Sequence, residues 1–228
     1  MSRAPVFLSL RRRNARLFFA GLLVSSVGTW IQITATAILV YRLTGRATDI
    51  GITMACQFLP MLVLGAWAGA FADQRSKRHL AILTQGGLAL QAVVLGALDL
   101  AGAVNLPIVY AMSLLLGVLN AFDNPARRGF VVELVEPHEI ANAMSLNTAV
   151  MTGSRIFGPA LAGLLVEPLG TGWCFMINGL SFATVLGSLF LVDSAELFVA
   201  PRAAKGGTPV RDALRLVARD RRLLTVFL

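Results

Sequence analysis

The sequence has little charge, little cysteine and little histidine, and each scarcity narrows the class of protein. Only 14% of its 228 residues are charged, whereas a soluble domain has about 25%. Its two cysteines, Cys56 and Cys174, both fall inside apolar runs. We therefore predict small core residues there and not a disulfide or a metal pair. The two histidines, His79 and His138, have no partners at the spacing of metal ligands.

Sequence motifs of enzymes are missing as well. There is no phosphate-binding loop and no dinucleotide fingerprint, each of which needs a fixed pattern of residues. No order of serine, histidine and acid suggests a hydrolytic triad. We therefore expect neither an enzyme nor a bound cofactor. The net charge of +8 would suggest nucleic acid in a soluble protein, but the bases flank apolar runs here, so no nucleic acid partner is predicted.

Apolar residues are abundant and are organised in long runs. They make up 56% of the chain, and the mean hydropathy is +0.72. Because a helix rises 1.5 Å per residue, about 20 apolar residues span the roughly 30 Å hydrocarbon core of a bilayer. Six such runs predict an all-α membrane protein. It would be a six-transmembrane-helix bundle with spans at residues 17–41, 50–72, 79–101, 106–125, 141–166 and 172–192.

Polar segments precede and follow this predicted bundle. Residues 1–16 contain five arginines and are predicted to be a cytoplasmic N-terminal segment. Residues 193–222 form a basic linker, in which apolar residues recur with helical spacing from Val210 onward. That spacing indicates an amphipathic helix suited to an anionic membrane surface. Residues 223–228 begin a seventh apolar segment.

The distribution of basic residues predicts the orientation of the bundle. With the N-terminus inside, the inner segments hold five bases before the first span, three between the second and third, two after the fourth and seven after the sixth. The outer loops hold only Arg42 and Arg46. Because cytoplasmic loops carry an excess of lysine and arginine, we predict a multi-pass protein of the inner membrane with its N-terminus in the cytoplasm.

Several polar residues lie inside the predicted spans. Arg155 is the one charge deep in an apolar run, at a cost of about 2.5–3.5 kcal/mol at a helix centre. It either faces a cavity or partner, or it bonds to neighbouring carbonyls. No aspartate or glutamate lies deep in the predicted helices, so no proton carrier is visible. Candidate cavity-lining residues, for which helix packing is the alternative explanation, are Trp30, Gln32, Gln57, Gln85, Asn147 and Asn178.

A charged hinge separates the second and third predicted spans. Its charged residues are Asp73, Arg75, Lys77 and Arg78. The hinge is either an ordinary cytoplasmic turn that fixes orientation or a functional element. With Gly69 included, it resembles the loop between helices 2 and 3 of the major facilitator superfamily. Gln74 stands where that family commonly has a base, and Ser76 stands where it usually has glycine.

A second stretch resembles the antiporter motif of the same superfamily, which is associated with export. Its residues are Gly153, Arg155, Gly158, Pro159 and Gly163. The arginine common in the family's fourth helix is not seen, and only Gly117 fits that region. Further stretches, among them residues 28–32, 125–127 and 174–178, are similar to the branch of enterobactin exporters, macrolide efflux proteins and transmembrane secretion effectors.

This resemblance implies a secondary active exporter of small molecules, drug-like or siderophore-like, driven by a proton or other ion gradient through alternating access. Family members have twelve helices in two six-helix halves, each built of two inverted three-helix repeats, and they hold substrate between the halves. The chain would then be the N-terminal half and would need a second six-helix half in cis or in trans. In the family, the hinge is thought to latch the inside face against the opposite half.

The length of the chain leaves three interpretations of that half open. The apolar run 223–228 stops abruptly, which favours a truncated product or a fragment. Alternatively, the chain pairs with itself or with a separately encoded second half. The third interpretation is a non-transporting membrane interaction protein that has lost transport. The sequence does not identify the substrate.

Overall fold

The computed structural model describes residues 8–198, and nearly all of them are helical. The five α-helices in this range are α1 (Arg13–Thr44), α2 (Ala47–Asp73), α3 (Lys77–Leu100), α4 (Leu106–Glu133) and α5 (Ile140–Leu191). Short 3-10 helices occupy Leu8–Arg11, Pro137–Glu139 and Ser194–Glu196. No strand occurs in the described range, and each of the five helices is long and apolar enough to cross a membrane. The expected all-α membrane class is confirmed, whereas the expectations for residues 1–7 and 199–228 lie outside the described residues.

Helix α5 is too long to cross a membrane once, and the chain reverses direction within it. A straight helix of 52 residues would measure about 78 Å, against a hydrocarbon core of about 30 Å. Gly170 breaks α5 with φ 82° and ψ 170°, a left-handed φ that glycine adopts without a Cβ penalty. Ala143 and Leu189, near the two ends of α5, share one apolar cluster. The chain therefore folds back at Gly170 into a first arm (residues 140–169) and a second arm (residues 171–191).

Helix α4 continues beyond the end predicted for the fourth span. The predicted span ended at residue 125, with Asp123 near its end and Arg127 beyond it, but both lie inside α4, which ends at Glu133. Pro125 is also inside the helix, as membrane helices allow where neighbours satisfy the freed backbone groups. The two charges do not end the helix, because they are four residues apart and form an ion pair.

Close backbone contacts fix how the helices cross. Helix α1 packs chiefly against α5, and α2 packs chiefly against α4. A Cβ at Gly158 in the first arm of α5 would overlap the Cβ of Trp30 in α1. A Cβ at Gly117 in α4 would lie 2.5 Å from the carbonyl oxygen of Gln57 in α2. Small residues at both crossings therefore allow the backbones to approach more closely than a side chain would permit.

Polar contacts tie together the end of the bundle where α1 begins and α5 ends. Arg12 forms ion pairs with Glu139, at 2.7 Å, and with Glu136. Asn14 exchanges two hydrogen bonds with the backbone of Asp193, at 3.0 and 3.1 Å. These contacts hold the start of α1, the α4–α5 connection and the end of α5 in one fixed arrangement.

Candidate functional site

A cavity of about 180 Å³ opens into the bundle, and residues of all five helices line its wall. Much of that wall is apolar, with side chains such as Leu88 and Phe182. Three of the residues predicted to line a cavity do border it, namely Trp30, Gln57 and Gln85. The polar residues of the wall come from four helices, and both of its charged residues lie on α4.

The charged part of that wall is an ion pair on α4 that sequence reasoning missed. Arg127 Nε donates to Asp123 Oδ2 at 3.1 Å, and the two residues are only 8% and 2% exposed. Thr84 Oγ1 and Gln85 Nε2 on α3 donate to Asp123 Oδ1 at 2.9 and 2.8 Å. The carboxylate therefore has three donors, one of them a counter-ion, as a buried charge requires. The four-residue spacing was the available signal, because such residues share a helix face.

Arg127 reaches two further acceptors with its terminal nitrogens. Its Nη2 donates to Asn124 Oδ1 at 2.7 Å, and its Nη1 donates to Met151 Sδ on α5 at 2.9 Å. A thioether sulfur is a weak acceptor. Along α5, Met151 lies between Asn147 and Ser154, which are buried. Asn147 Oδ1 and Ser154 Oγ have no hydrogen-bond partner in the part of the chain that the structure describes.

Unpaired acceptors also occur on residues that line the cavity. Gln57 Oε1 and Gln85 Oε1 are buried without a hydrogen-bond partner among residues 8–198. The amide of Gln85 cannot be turned around, because the carboxylate of Asp123 only accepts and so takes the amide N–H. Since buried polar atoms are normally bonded, these unmatched acceptors suit a wall that rearranges or that meets a ligand with hydrogen-bond donors.

Gln32 and Asn178, two other residues predicted to line a cavity, are bonded to each other and do not border this one. Asn178 Nδ2 donates to Gln32 Oε1 at 2.6 Å, and Gln32 Nε2 donates to Gln91 Oε1 at 2.9 Å. Gln91 in turn donates to the carbonyl of Met112 at 3.2 Å. This amide chain joins the second arm of α5 to α1, α3 and α4, and in this arrangement it supports helix packing.

Arg155 lies in the first arm of α5 with its side chain exposed. Its Cζ is 5.1 Å from the centroid of the Trp30 ring, which is within the range of a cation–π contact. The approach is possible because α1 and the first arm of α5 touch at Gly158, where Trp30 leaves no room for a side chain.

The rest of the antiporter-like motif shapes the first arm around that contact. A Cβ added at Gly153 or at Gly163 would meet no neighbouring heavy atom within 4 Å. Pro159 has no N–H, so the carbonyl of Arg155 lacks its usual helical hydrogen bond. The motif thus combines one close helix contact at Gly158 with more open stretches before and after it.

Residues of the charged hinge contact each other and the end of α2. Lys77 Nζ donates to the carbonyl of Ala72 at 2.9 Å and to Asp73 Oδ1 at 3.3 Å. The Asp73 side chain is nevertheless 69% exposed. Arg75 stacks over the ring of Phe71, with 5.1 Å between its Cζ and the ring centroid. The lysine therefore closes the turn, whereas the aspartate keeps most of its surface free for another contact.

Arg78, the last charge of the hinge, binds the C-terminal end of α5. Its Nε donates to the carbonyl of Leu189 at 2.8 Å, and its Nη2 donates to the carbonyl of Phe190 at 3.3 Å. Its Nη1 also donates to Ser194 Oγ. The last carbonyls of a helix lack intrahelical partners and carry partial negative charge. Arg78 therefore joins the start of α3 to the end of α5.

Replacing Arg78 with glutamine is expected to destabilise the bundle by about 1–2 kcal/mol, because the carbonyls at the end of α5 lose a charged donor. Thermal unfolding in detergent measures this loss as a lower midpoint. The control is Arg75→Gln, which removes the same charge from the same hinge but breaks only the contact with Phe71. Equal midpoints for the two variants would contradict the role of Arg78 as a helix cap.

The whole sequence is similar to membrane transporters. A family model described as transmembrane secretion effector matches residues 4–228. The uncharacterized MFS-type transporter YfiS of Bacillus subtilis is 29% identical over 97% of this chain and 52% of its own length. The staphyloferrin A transporter of Staphylococcus aureus is 27% identical over 73% of this chain and 42% of its own length. The multidrug efflux pump Tap of Mycolicibacterium fortuitum is 30% identical over 70% of this chain and 40% of its own length. The chain thus spans about half the length of the curated relatives it matches.

Proposed function

Since the chain belongs to the transmembrane secretion effector family of the major facilitator superfamily, we propose that it is the N-terminal half of a secondary active exporter. This exporter moves drug-like or siderophore-like small molecules out of the cell by alternating access. The names of two relatives, a staphyloferrin A transporter and a multidrug efflux pump, support small-molecule transport, and the second supports its outward direction.

The observation that carries this proposal is the buried pair of Asp123 and Arg127 in the cavity wall. Burying two charges is costly, and apolar side chains of similar volume often stabilise a bundle at least as well. Ionisable residues inside membrane domains usually belong to ion or substrate pathways. Because this pair borders a cavity and is held by donors from a second helix, it favours transport over packing alone.

The same pair supports coupling to a proton gradient, with Asp123 as the proton carrier. A proton on Asp123 removes its charge, so the carboxyl group no longer holds Arg127 as a counter-ion. Arg127 Nη1 already reaches Met151 on α5, and Asn147, one helical turn away, has an unpaired buried oxygen. Uptake and release of the proton would therefore shift the guanidinium between α4 and α5, giving two arrangements whose populations a gradient can bias.

Six membrane passages follow if each arm of α5 crosses the membrane once. Helices α1–α3 and α4 with the two arms then form two inverted three-helix repeats, with the N-terminus in the cytoplasm. Cysteine labelling in intact cells of a Cys56→Ala variant tests this orientation. An impermeant thiol reagent should label Ala103→Cys, in the exposed α3–α4 turn, and should not label Arg75→Cys in the exposed hinge. The opposite pattern would refute the orientation.

A second six-helix half, in cis or in trans, completes the cavity from the open side of α2. On that helix, Leu62 is 82% exposed and Trp67 is 68% exposed. Gly65 and Gly69 would have nothing within 4 Å of an added Cβ. Small residues in an exposed apolar face favour close packing of another helix. The mostly exposed Asp73, at the end of α2, is then available to latch onto that second half.

Transport by reconstituted protein tests the proposed function. The chain is fused to the second half of the Bacillus subtilis relative and placed in lipid vesicles with an imposed pH gradient. Movement of neutral, cationic and anionic fluorescent dyes is then followed. We expect gradient-dependent movement by the fusion, loss of that movement with Asp123→Asn, and little movement by the chain alone. If neither the fusion nor the chain alone moves any dye, the alternative of a non-transporting membrane interaction protein is favoured.

A further inference from the structure

Arg155 is an exposed cation near the middle of the first arm of α5, and it has no acidic partner in the described part of the chain. It lies midway between Ile140, where α5 begins, and Gly170, where α5 reverses, so it is far in sequence from both ends of the first arm. Among residues 8–198, no carboxylate lies within ion-pair distance of its guanidinium. Charged side chains at this position in an apolar helix normally face a cavity and pair with something. The described part of the chain does not supply that counter-charge.

The contact that Arg155 does make leaves its hydrogen-bond donors free. A guanidinium has five N–H donors in its plane, whereas stacking on an aromatic ring uses its face. Cζ lies 5.1 Å from the Trp30 centroid, and no hydrogen bond from the guanidinium occurs among residues 8–198. The planar fork of N–H groups matches the two oxygens of a carboxylate. Arg155 on Trp30 therefore has the form of a carboxylate receptor.

The position of Trp30 connects this receptor to the cavity. Trp30 lines the cavity, and its backbone is held against the first arm of α5 at Gly158. Arg155 itself is not among the lining residues and is linked to the cavity through Trp30. The cation that does line the wall, Arg127, is already neutralised by Asp123 at 3.1 Å. The unbalanced charge beside the cavity is therefore the positive charge of Arg155.

We propose that Arg155, stacked on Trp30, binds a carboxylate of the transported molecule, so that organic acids in their anionic form are the preferred substrates. This inference rests on the proposed export function, because it assigns the substrate class of the same cavity. Arg155 provides the charge and the two donors, and Trp30 provides an apolar surface for the carbon skeleton next to the carboxylate.

Binding of three probes of nearly equal shape tests the inference without requiring transport. Trp67 and Trp173 are 68% and 51% exposed, so Trp67→Phe and Trp173→Phe leave Trp30 as the single tryptophan at little structural cost. Its fluorescence is titrated in detergent with benzoate, benzamide and benzylammonium. We expect benzoate to bind at least about tenfold more tightly than the other two, since a charge-assisted hydrogen bond is worth about 1.5–3 kcal/mol and tenfold corresponds to 1.4 kcal/mol.

Variants of Arg155 decide whether the preference comes from its guanidinium. Arg155→Gln should abolish the preference for benzoate, and Arg155→Lys should retain part of it because the charge remains. The control is Arg128→Gln, which removes an exposed charge elsewhere and should leave the preference unchanged. Equal binding of the three probes, or an unchanged preference in Arg155→Gln, overturns the inference even if vesicles show transport. Selective binding that Arg155→Gln abolishes supports it even if they show none.

Discussion

The Asp123→Asn variant is expected to unfold far more easily than the natural protein, with a loss of about 3–5 kcal/mol, because Arg127 keeps its charge in a buried site without its counter-ion. Asparagine has the shape of aspartate but no charge, so packing is nearly conserved and the electrostatic change dominates. The free thiol of Cys174 is buried. In a Cys56→Ala background, its reaction with a thiol-reactive fluorophore during heating in detergent therefore reports unfolding.

Two comparisons separate this effect from a general loss of charge. Asp73→Asn removes a carboxylate that is 69% exposed and pairs with Lys77, so it should cost less than about 1 kcal/mol. The double variant Asp123→Asn with Arg127→Gln removes both charges, and it should be more stable than Asp123→Asn alone. A midpoint for Asp123→Asn equal to that of Asp73→Asn would show that the buried pair does not stabilise the bundle.

Gly158→Ala is expected to be the second strongly destabilising change, with a loss of about 1–3 kcal/mol or more from overpacking. The added methyl group would overlap Trp30 Cβ and lie 3.1 Å from the carbonyl oxygen of Val27. Neither atom is the end of a flexible side chain, so α1 and the first arm of α5 must move apart. The contact of Arg155 with Trp30 depends on that approach, so anionic probes should also bind more weakly.

The same motif offers a matched control for Gly158. An alanine at Gly163 would meet nothing within 4 Å, and alanine favours a helix over glycine by up to about 1 kcal/mol. Gly163→Ala should therefore be neutral or slightly stabilising in the thiol-reactivity assay and should leave probe binding unchanged. If Gly158→Ala is as stable as Gly163→Ala, the close contact between α1 and α5 is not a constraint on the fold.

The all-α membrane class was predictable from the sequence, because long apolar runs of low charge are compatible with few other structures. The end of α4 was not, because Asp123, Pro125 and Arg127 together have the local pattern of a polar loop. Their burial depends on Thr84 and Gln85, which are some forty residues away in sequence and reach the carboxylate only in the folded bundle. The proposed proton carrier, Asp123, was missed for the same reason.

The sequence alone also could not show which polar residues of the spans line the cavity and which support helix packing. Gln32 and Gln57 look alike in the sequence, each being an amide in an apolar helix. In the structure, Gln32 is bonded on both sides to Asn178 and Gln91, whereas Gln57 borders the cavity. The difference arises from which helix lies opposite, and that information is tertiary. Likewise, the contact of Arg78 with the end of α5 could not be read from the hinge itself.

The amide chain through Gln32 also constrains how the protein is made. Asn178 follows Gln32 by 146 residues, and α1 packs chiefly against α5. A ribosome adds about 5–20 residues per second, so roughly 7–30 s pass between synthesis of the two partners. During that interval Gln91, 59 residues after Gln32, becomes available to accept from its amide, whereas the native donor to Gln32 Oε1 is still missing. The amide chain is therefore completed only after the second arm of α5 has been synthesised.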